Sequence, residues 1–223
     1  IGVSFQVIPM FYVALDFPKI VQEKMPIVLS VLIIIFVGFL LFGLDLYLLK
    51  LGIAITLIIF SYYAINSLNN RRRPVFDVTL WYWKFSLYMF IIAMLNWLFI
   101  PQDRPFNLAL LFGLGFLYSL LQGMVYKIIP FLSWFHLSSK GHFSIPTMRE
   151  MIHEDMIKIH FFLYISSLFF FFLSSFLTNI FIFIGAIFFI LSNIIFFVNC
   201  ITAIKKYNSI SKSDPMQMMM ANK

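Results

Sequence analysis

Charge is what this sequence has least of. Only 11% of its 223 residues are Asp, Glu, Lys or Arg, against roughly 25% in a soluble domain, while 62% are hydrophobic. No globular interior of this size could hide so much Phe, Ile and Leu, so lipid must cover much of it. Cysteine is nearly absent: Cys200 stands alone in an apolar run, which excludes a disulfide or a thiolate metal site within the chain. The glycines are not gathered into a phosphate-cradling loop, no Ser/His/Asp set appears, and no run holds a pair of carboxylates. His153-Glu154 opens like a zincin helix, but the second ligand position four residues on is Ile157. The first residue is Ile, and the chain opens in mid-apolar sequence without a charged leader or a small-residue cleavage site. That pattern is not a signal peptide, and the chain reads as part of a longer protein or one trimmed at its start.

What is present is a series of apolar runs about 20 residues long. They predict an all-α polytopic transmembrane helix bundle of six full spans plus one partial N-terminal span. The partial span covers about 1–15. The full spans cover about 26–43, 46–66, 80–100, 107–130, 157–177 and 179–203, so the bundle occupies 1–204 and a cytoplasmic, disordered tail runs over 205–223. Helix is the form expected because lipid cannot satisfy backbone groups and the runs do not alternate as barrel strands do. Thr147 and Glu150 have capping-box spacing before Met151, Ile152, Met156 and Ile159, which predicts a short interfacial helix at about 147–156.

The net charge of +7 comes from residues at the ends of the runs. Lys19, Lys24, Arg71, Arg72, Arg73, Lys84, Lys127, Lys140, Arg149, Lys158, Lys205, Lys206, Lys212 and Lys223 fall on one side, and Lys50 and Arg104 on the other. The positive-inside rule makes the first side cytoplasmic. This placement points to a lipid bilayer as partner and excludes nucleic acid, for which a basic face with stacking aromatics is wanted. Trp81, Tyr82 and Trp83 beside Lys84 read as an interfacial aromatic belt.

One segment returns at an offset of 121 residues. Gly2-Val3-Ser4-Phe5-Gln6-Val7-Ile8-Pro9-Met10-Phe11 aligns without gaps on Gly123-Met124-Val125-Tyr126-Lys127-Ile128-Ile129-Pro130-Phe131-Leu132, and Lys19 matches Lys140. Four spans make one period, a four-helix internal repeat. Each proline is expected to kink or end its helix at the interface, with Gln6 and Lys127 as anchors reaching headgroups or freed carbonyls.

With "GVSFQVIPMFYV", four helices, then "GMVYKIIPFLSWFHLSSKG" and "PTMREMI", the chain resembles bacterial membrane proteins related to subunit I of the haem-copper oxidases, a group that includes NnrS-type proteins. The resemblance implies helices in repeated four-helix arcs and a bacterial inner-membrane location. It also implies haem as cofactor, in electron transfer or gas sensing, with a histidine ligand in the helix entering the first "IPM" segment, before Ile1. Neither the copper-ligand "HPEVY" motif nor paired His-x-His ligands occur here, so an oxygen-reducing centre is not expected in this region.

Four histidines remain to be weighed. His160 lies just inside a span, where an ionisable group is a functional hypothesis; a lone axial haem ligand is one chemically sensible role for it, and a headgroup-level histidine another. A hydrogen-bonded structural histidine is the competing reading. His153 is seven residues earlier, about 10 Å along a helix and too far to share a metal. His136 and His142 read as interfacial. Gly115, Ser119 and Gly123 form a stripe at intervals of four that suits close helix packing or a resting macrocycle. Asn96, Gln122, Asn193 and Asn199 can bond between helices or line a polar path. Met216, Met218, Met219 and Met220 would suit Cu(I), in a stretch read as a loose tail. No metal site is assigned. Two other classes stay open beside the haem protein: a transporter or channel subunit, and a non-catalytic assembly subunit bound to other membrane subunits.

Overall fold

The computed structural model describes all residues except 1, 45, 73–75, 101–104, 142–144 and 213–223, and of Met148 it describes the backbone alone. His142 and the methionines of the tail therefore lie outside the described residues. Among those described, regular structure is helical throughout. Helix α1 is Ser4–Tyr12, α2 Lys19–Leu41, α3 Tyr47–Asn69 and α4 Thr79–Phe99. Helix α5 (Pro105–Ala109), a π-helical stretch (Leu110–Tyr118) and α6 (Ser119–Ser139) run on as one rod, followed by the single turn α7 (Met148–Met151), α8 (Glu154–Ser174) and α9 (Ile180–Ser211).

Among the described residues, six helical rods are long and apolar enough to cross a bilayer: α2, α3, α4, the 35-residue Pro105–Ser139 rod, α8 and α9. At 1.5 Å per residue, even the 21-residue members reach about 30 Å, the thickness of the hydrocarbon layer. Their outer faces are as apolar as their inner ones. Phe183 is 70% exposed and Phe197 65%, a surface that suits acyl chains and would be unfavourable in water. The chain is a multi-pass integral membrane protein. The partial first span contains only the nine residues of α1, closed by Val13 in the left-handed conformation at φ 49°.

Several boundaries differ from those read in the apolar runs. Helix α2 starts at Lys19, because its first two turns carry Lys19, Glu23 and Lys24, which suit headgroups and leave no hydropathy signal. Helix α9 extends to Ser211, so the tail is helical rather than disordered over 205–211. The interfacial helix is one turn, not ten residues: the backbone is extended at Ile152 and His153, and α8 takes over at Glu154. The Thr147 N–H donates to Glu150 Oε2 at 2.9 Å, as the capping spacing suggested. Pro130 does not end its helix, since α6 continues nine residues beyond it. Neighbouring helices and polar side chains make one lost backbone bond tolerable in a membrane protein. Pro9 and Pro130 both lie inside helices, the rod holding Pro130 is the fifth after α1 is counted as first, and the matched aromatics Phe5 and Tyr126 are both buried.

The chain divides into two compact units, Ile1–Phe76 with Trp83–Ser119, and Asp77–Tyr82 with Leu120–Lys223. In the first, α3 packs against α1 and α2. Its core is Ala54, Phe90, Ala93, Met94 and Leu111. Phe5 meets Phe17 and Phe60 edge-on, and Ser67 Oγ donates to the Leu15 carbonyl, tying the segment after α1 to α3. In the second unit α8 and α9 pack along their lengths through Phe170, Phe171, Phe181, Phe188 and Phe189.

Helices α8 and α9 approach closely at Gly185, where an added Cβ would stand 2.8 Å from Phe171 Cδ1 and 3.2 Å from the Ser167 carbonyl oxygen. Gly185→Leu is therefore expected to lower the thermal midpoint in detergent, by the equivalent of about 1–3 kcal/mol for overpacking. Gly38→Leu on α2, where nothing lies within 4 Å, serves as the control and should not lower it. Equal losses in the two variants would remove packing as the cause.

Candidate functional site

Four helical segments of the second unit converge on one imidazole. Asp77 starts the construction by capping α4: its Oδ1 accepts from the Thr79 N–H at 2.9 Å and from the Thr79 hydroxyl at 2.7 Å. This fixes the first turn of α4, which carries Tyr82. Helix α6 offers Gln122 and Tyr126, one turn apart and so on one face. Helix α9 offers Phe196 and Asn199, and α8 offers His160 itself.

His160 is fully buried. Its Nδ1 lies 2.6 Å from the Tyr82 hydroxyl and 3.0 Å from the Tyr126 hydroxyl, and its Nε2 lies 3.3 Å from the Gln122 amide. Asn199 Nδ2 donates to the Tyr126 hydroxyl at 3.0 Å. With that lone pair used, the Tyr126 proton is directed at Nδ1. Tyr82 has a second acceptor, the Ile157 carbonyl at 3.3 Å. The ring also stacks nearly parallel to Phe196, with centroids 5.3 Å apart.

One proton inventory that meets these contacts starts from the phenols. A phenol that donates to Nδ1 leaves the neutral imidazole protonated on Nε2. Gln122 Oε1 is buried and has no other hydrogen-bond partner. An amide nitrogen facing Nε2–H would set donor against donor, so the chemistry favours the amide with Oε1 toward the ring.

Next to the cluster is a cavity of about 50 Å³ lined by Asp77, Thr79, Tyr126, Lys127, Arg149 and Glu154, with Val78, Pro130, Ile152 and Ile157 as its apolar walls. Room for a water needs about 10–15 Å³ and several polar partners, and both conditions are met. Two ion pairs border it: Lys127 with Asp77, and Arg149 with Glu154 at 3.7 Å. Tyr126 belongs to both the cluster and the cavity wall.

These positions change several readings. Lys127 is not simply an anchor, because it has a carboxylate partner in Asp77. Tyr82 and Trp83 are buried, not members of an exposed belt. Gln122 and Asn199 do bond between helices, whereas Asn193 donates to the Phe189 carbonyl of its own helix. His153 is the exposed residue before α8, and the exposed His136 has Nδ1 2.9 Å from the Leu132 carbonyl.

An axial haem ligand needs an imidazole lone pair facing open space. Both nitrogens of His160 are engaged by protein groups, so in this arrangement His160 does not fit that role. Of the small residues, Gly115 is covered by Met89, whose Cβ would lie 3.1 Å from an added methyl, as expected for helix packing. Ser119 and Gly123 are buried. Gly115 and Ser119 fall in the first unit, Gly123 in the second with His160. Among the described residues no group of three His, Cys, Asp or Glu could hold a metal.

The Asn199–Tyr126 bond can be isolated by a double-mutant cycle of Tyr126→Phe with Asn199→Ala, unfolded chemically in detergent. The expected coupling is about 0.6 kcal/mol and at most roughly 1.7, the range for hydrogen bonds between membrane helices. Strict additivity would mean that the two side chains do not share a bond.

No family model matches this chain, and no curated protein or solved structure is similar to it.

Proposed function

We propose that this chain is a proton-handling part of a multi-pass membrane protein, with His160 as the group that takes up and releases the proton. The observation carrying this reading is a fully buried imidazole in a membrane-spanning helix, joined through one phenol to a charged, water-sized cavity. Ionisable groups at such depth are rare and mark proton relays and ion pathways.

The geometry supports two protonation states. In the neutral state Tyr126 or Tyr82 donates to Nδ1. For uptake, the Tyr126 hydroxyl passes its proton to Nδ1 and regains one from the bulk, relayed by water in the cavity. The Nδ1–H then donates to a phenol oxygen, and the Tyr82 proton turns to the Ile157 carbonyl 3.3 Å away. The other ring proton stays on Nε2 and is donated to Gln122 Oε1. Release reverses these moves, and hydroxyl rotation is the one rearrangement required.

The resemblance to proteins related to haem-copper oxidase subunit I supplies a setting for this station: electron transfer or gas sensing in the bacterial inner membrane, with haem held by ligands other than His160. In that setting the basic loops and the end of α9 face the cytoplasm.

Nitrogen-15 histidine spectra of the protein in bilayers test the proton reading. The signal lost in His160→Phe should report a neutral imidazole protonated on Nε2. It should charge as bulk pH is lowered. Tyr126→Phe should slow that exchange by about tenfold or more. A His160 signal that never responds to pH, or responds as fast in Tyr126→Phe, would remove the relay. The same preparations test haem: a Soret band is expected, and it should survive His160→Phe.

Orientation is checked separately in a Cys200→Ala background. With a membrane-impermeant thiol reagent, Lys50→Cys should be labelled in intact cells and Lys212→Cys only after lysis. The reverse pattern would invert the assignment.

A further inference from the structure

Away from the His160 cluster, the last turns of α6 and α9 border a separate, open cleft of about 260 Å³ lined by Leu132, Ser133, His136 and Tyr207. Lys140, one turn beyond His136, reaches across it. Its ammonium donates to Ser211 Oγ at 3.0 Å and stands 5.8 Å from the centroid of the Tyr207 ring. His136 is exposed, and with Nδ1 donating to the Leu132 carbonyl its Nε2 is turned away from the helix. Neither helix contains a single Asp or Glu, whereas α9 ends with Lys205 and Lys206 and is followed by Lys212. Among the described residues the cleft is thus cationic, with no carboxylate on its own walls.

Directly beside these polar groups the surface is apolar. Leu132 is 44% exposed and Phe135 54%. A free anion would use only the cations, and a soluble protein partner would not need a rim that faces acyl chains. One molecule supplies both chemistries at this spacing. We propose that the cleft binds an anionic phospholipid, its phosphate held by Lys140 and Ser211 and its acyl chain lying along Leu132 and Phe135. Basic pockets between transmembrane helices at the positively charged face hold anionic headgroups in this way. The site does not depend on the proton reading, since none of its residues belongs to the His160 cluster or its cavity.

The test is native mass spectrometry of the detergent-purified protein with phosphatidylglycerol or phosphatidylcholine of the same acyl composition. Phosphatidylglycerol should be retained preferentially, and Lys140→Gln should lower its retention about fivefold, the effect of one lysine near an anionic surface. Lys140→Arg should restore it, and Lys19→Gln, at an exposed lysine of the other unit, should not lower it. Equal retention of the two lipids, or an equal loss in Lys19→Gln, would overturn the site. Glycerol phosphate should not displace the lipid. If it does so at comparable concentration, the cleft recognises free phosphate and the lipid assignment falls. Lys140 is exposed, so an unchanged thermal midpoint without lipid will show that the variants remain folded.

Discussion

Everything in this structure follows from what lipid cannot do. A hydrocarbon layer offers neither donors nor acceptors, so each polar atom within it must find a partner inside the protein. The backbone solves the problem by becoming helix, which is why six rods of apolar sequence suffice to specify the architecture. Side chains that remain polar must solve it one by one. Serines do so locally: Ser61, Ser86, Ser167 and Ser192 each donate to a carbonyl three or four residues back on their own helix. A histidine cannot be satisfied so cheaply, and His160 gathers groups from three other helical segments around itself.

The same constraint explains what could be read in the sequence. The spans were visible because lipid selects composition over a length fixed by bilayer thickness. Their ends were less visible, because the hydropathy signal stops where headgroups begin while the helix does not. Lys19, Glu23 and Lys24 belong to α2, and Lys205 to Ser211 to α9, without adding to either apolar run. Pro130 left its outcome open for a related reason: proline is a strong breaker in water but is tolerated where neighbours satisfy the freed carbonyl, and α6 runs on past it. The wide turns of Leu110–Tyr118 leave no compositional trace, since Leu, Phe and Gly serve an α-helix there as well as a π-helix.

The candidate site was half legible. His160 stood out because imidazole is rare inside a span. Its partners did not, because Tyr82 and Tyr126 lie 78 and 34 residues away along the chain. Tyr82 was further disguised by its neighbours Trp81 and Trp83, a triplet that imitates an interfacial belt. Lys127 looked isolated because its partner Asp77 lies 50 residues earlier and doubles as a helix cap. Only the presence of Gln122 and Asn199 on spans hinted that something polar had to be satisfied nearby.

Could the cluster serve only to hold helices together? Magnitudes argue against stability as the sole reason. A hydrogen bond between membrane helices contributes about 0.6 kcal/mol on average, and well-packed apolar side chains of similar volume would hold the same helices without desolvating an imidazole. Simple adhesion would also be met by amides, which carry no titratable proton. This cluster instead combines the one side chain whose unperturbed charge changes near neutral pH with two phenols, of which Tyr82 has a second acceptor in reach. It places the other phenol, Tyr126, at the wall of a cavity bordered by two ion pairs. Glue requires a donor to meet an acceptor. Proton exchange calls in addition for a donor with somewhere else to turn and for space for water beside a group bonded to the base: Tyr82 has the second acceptor, and Tyr126 lines the cavity.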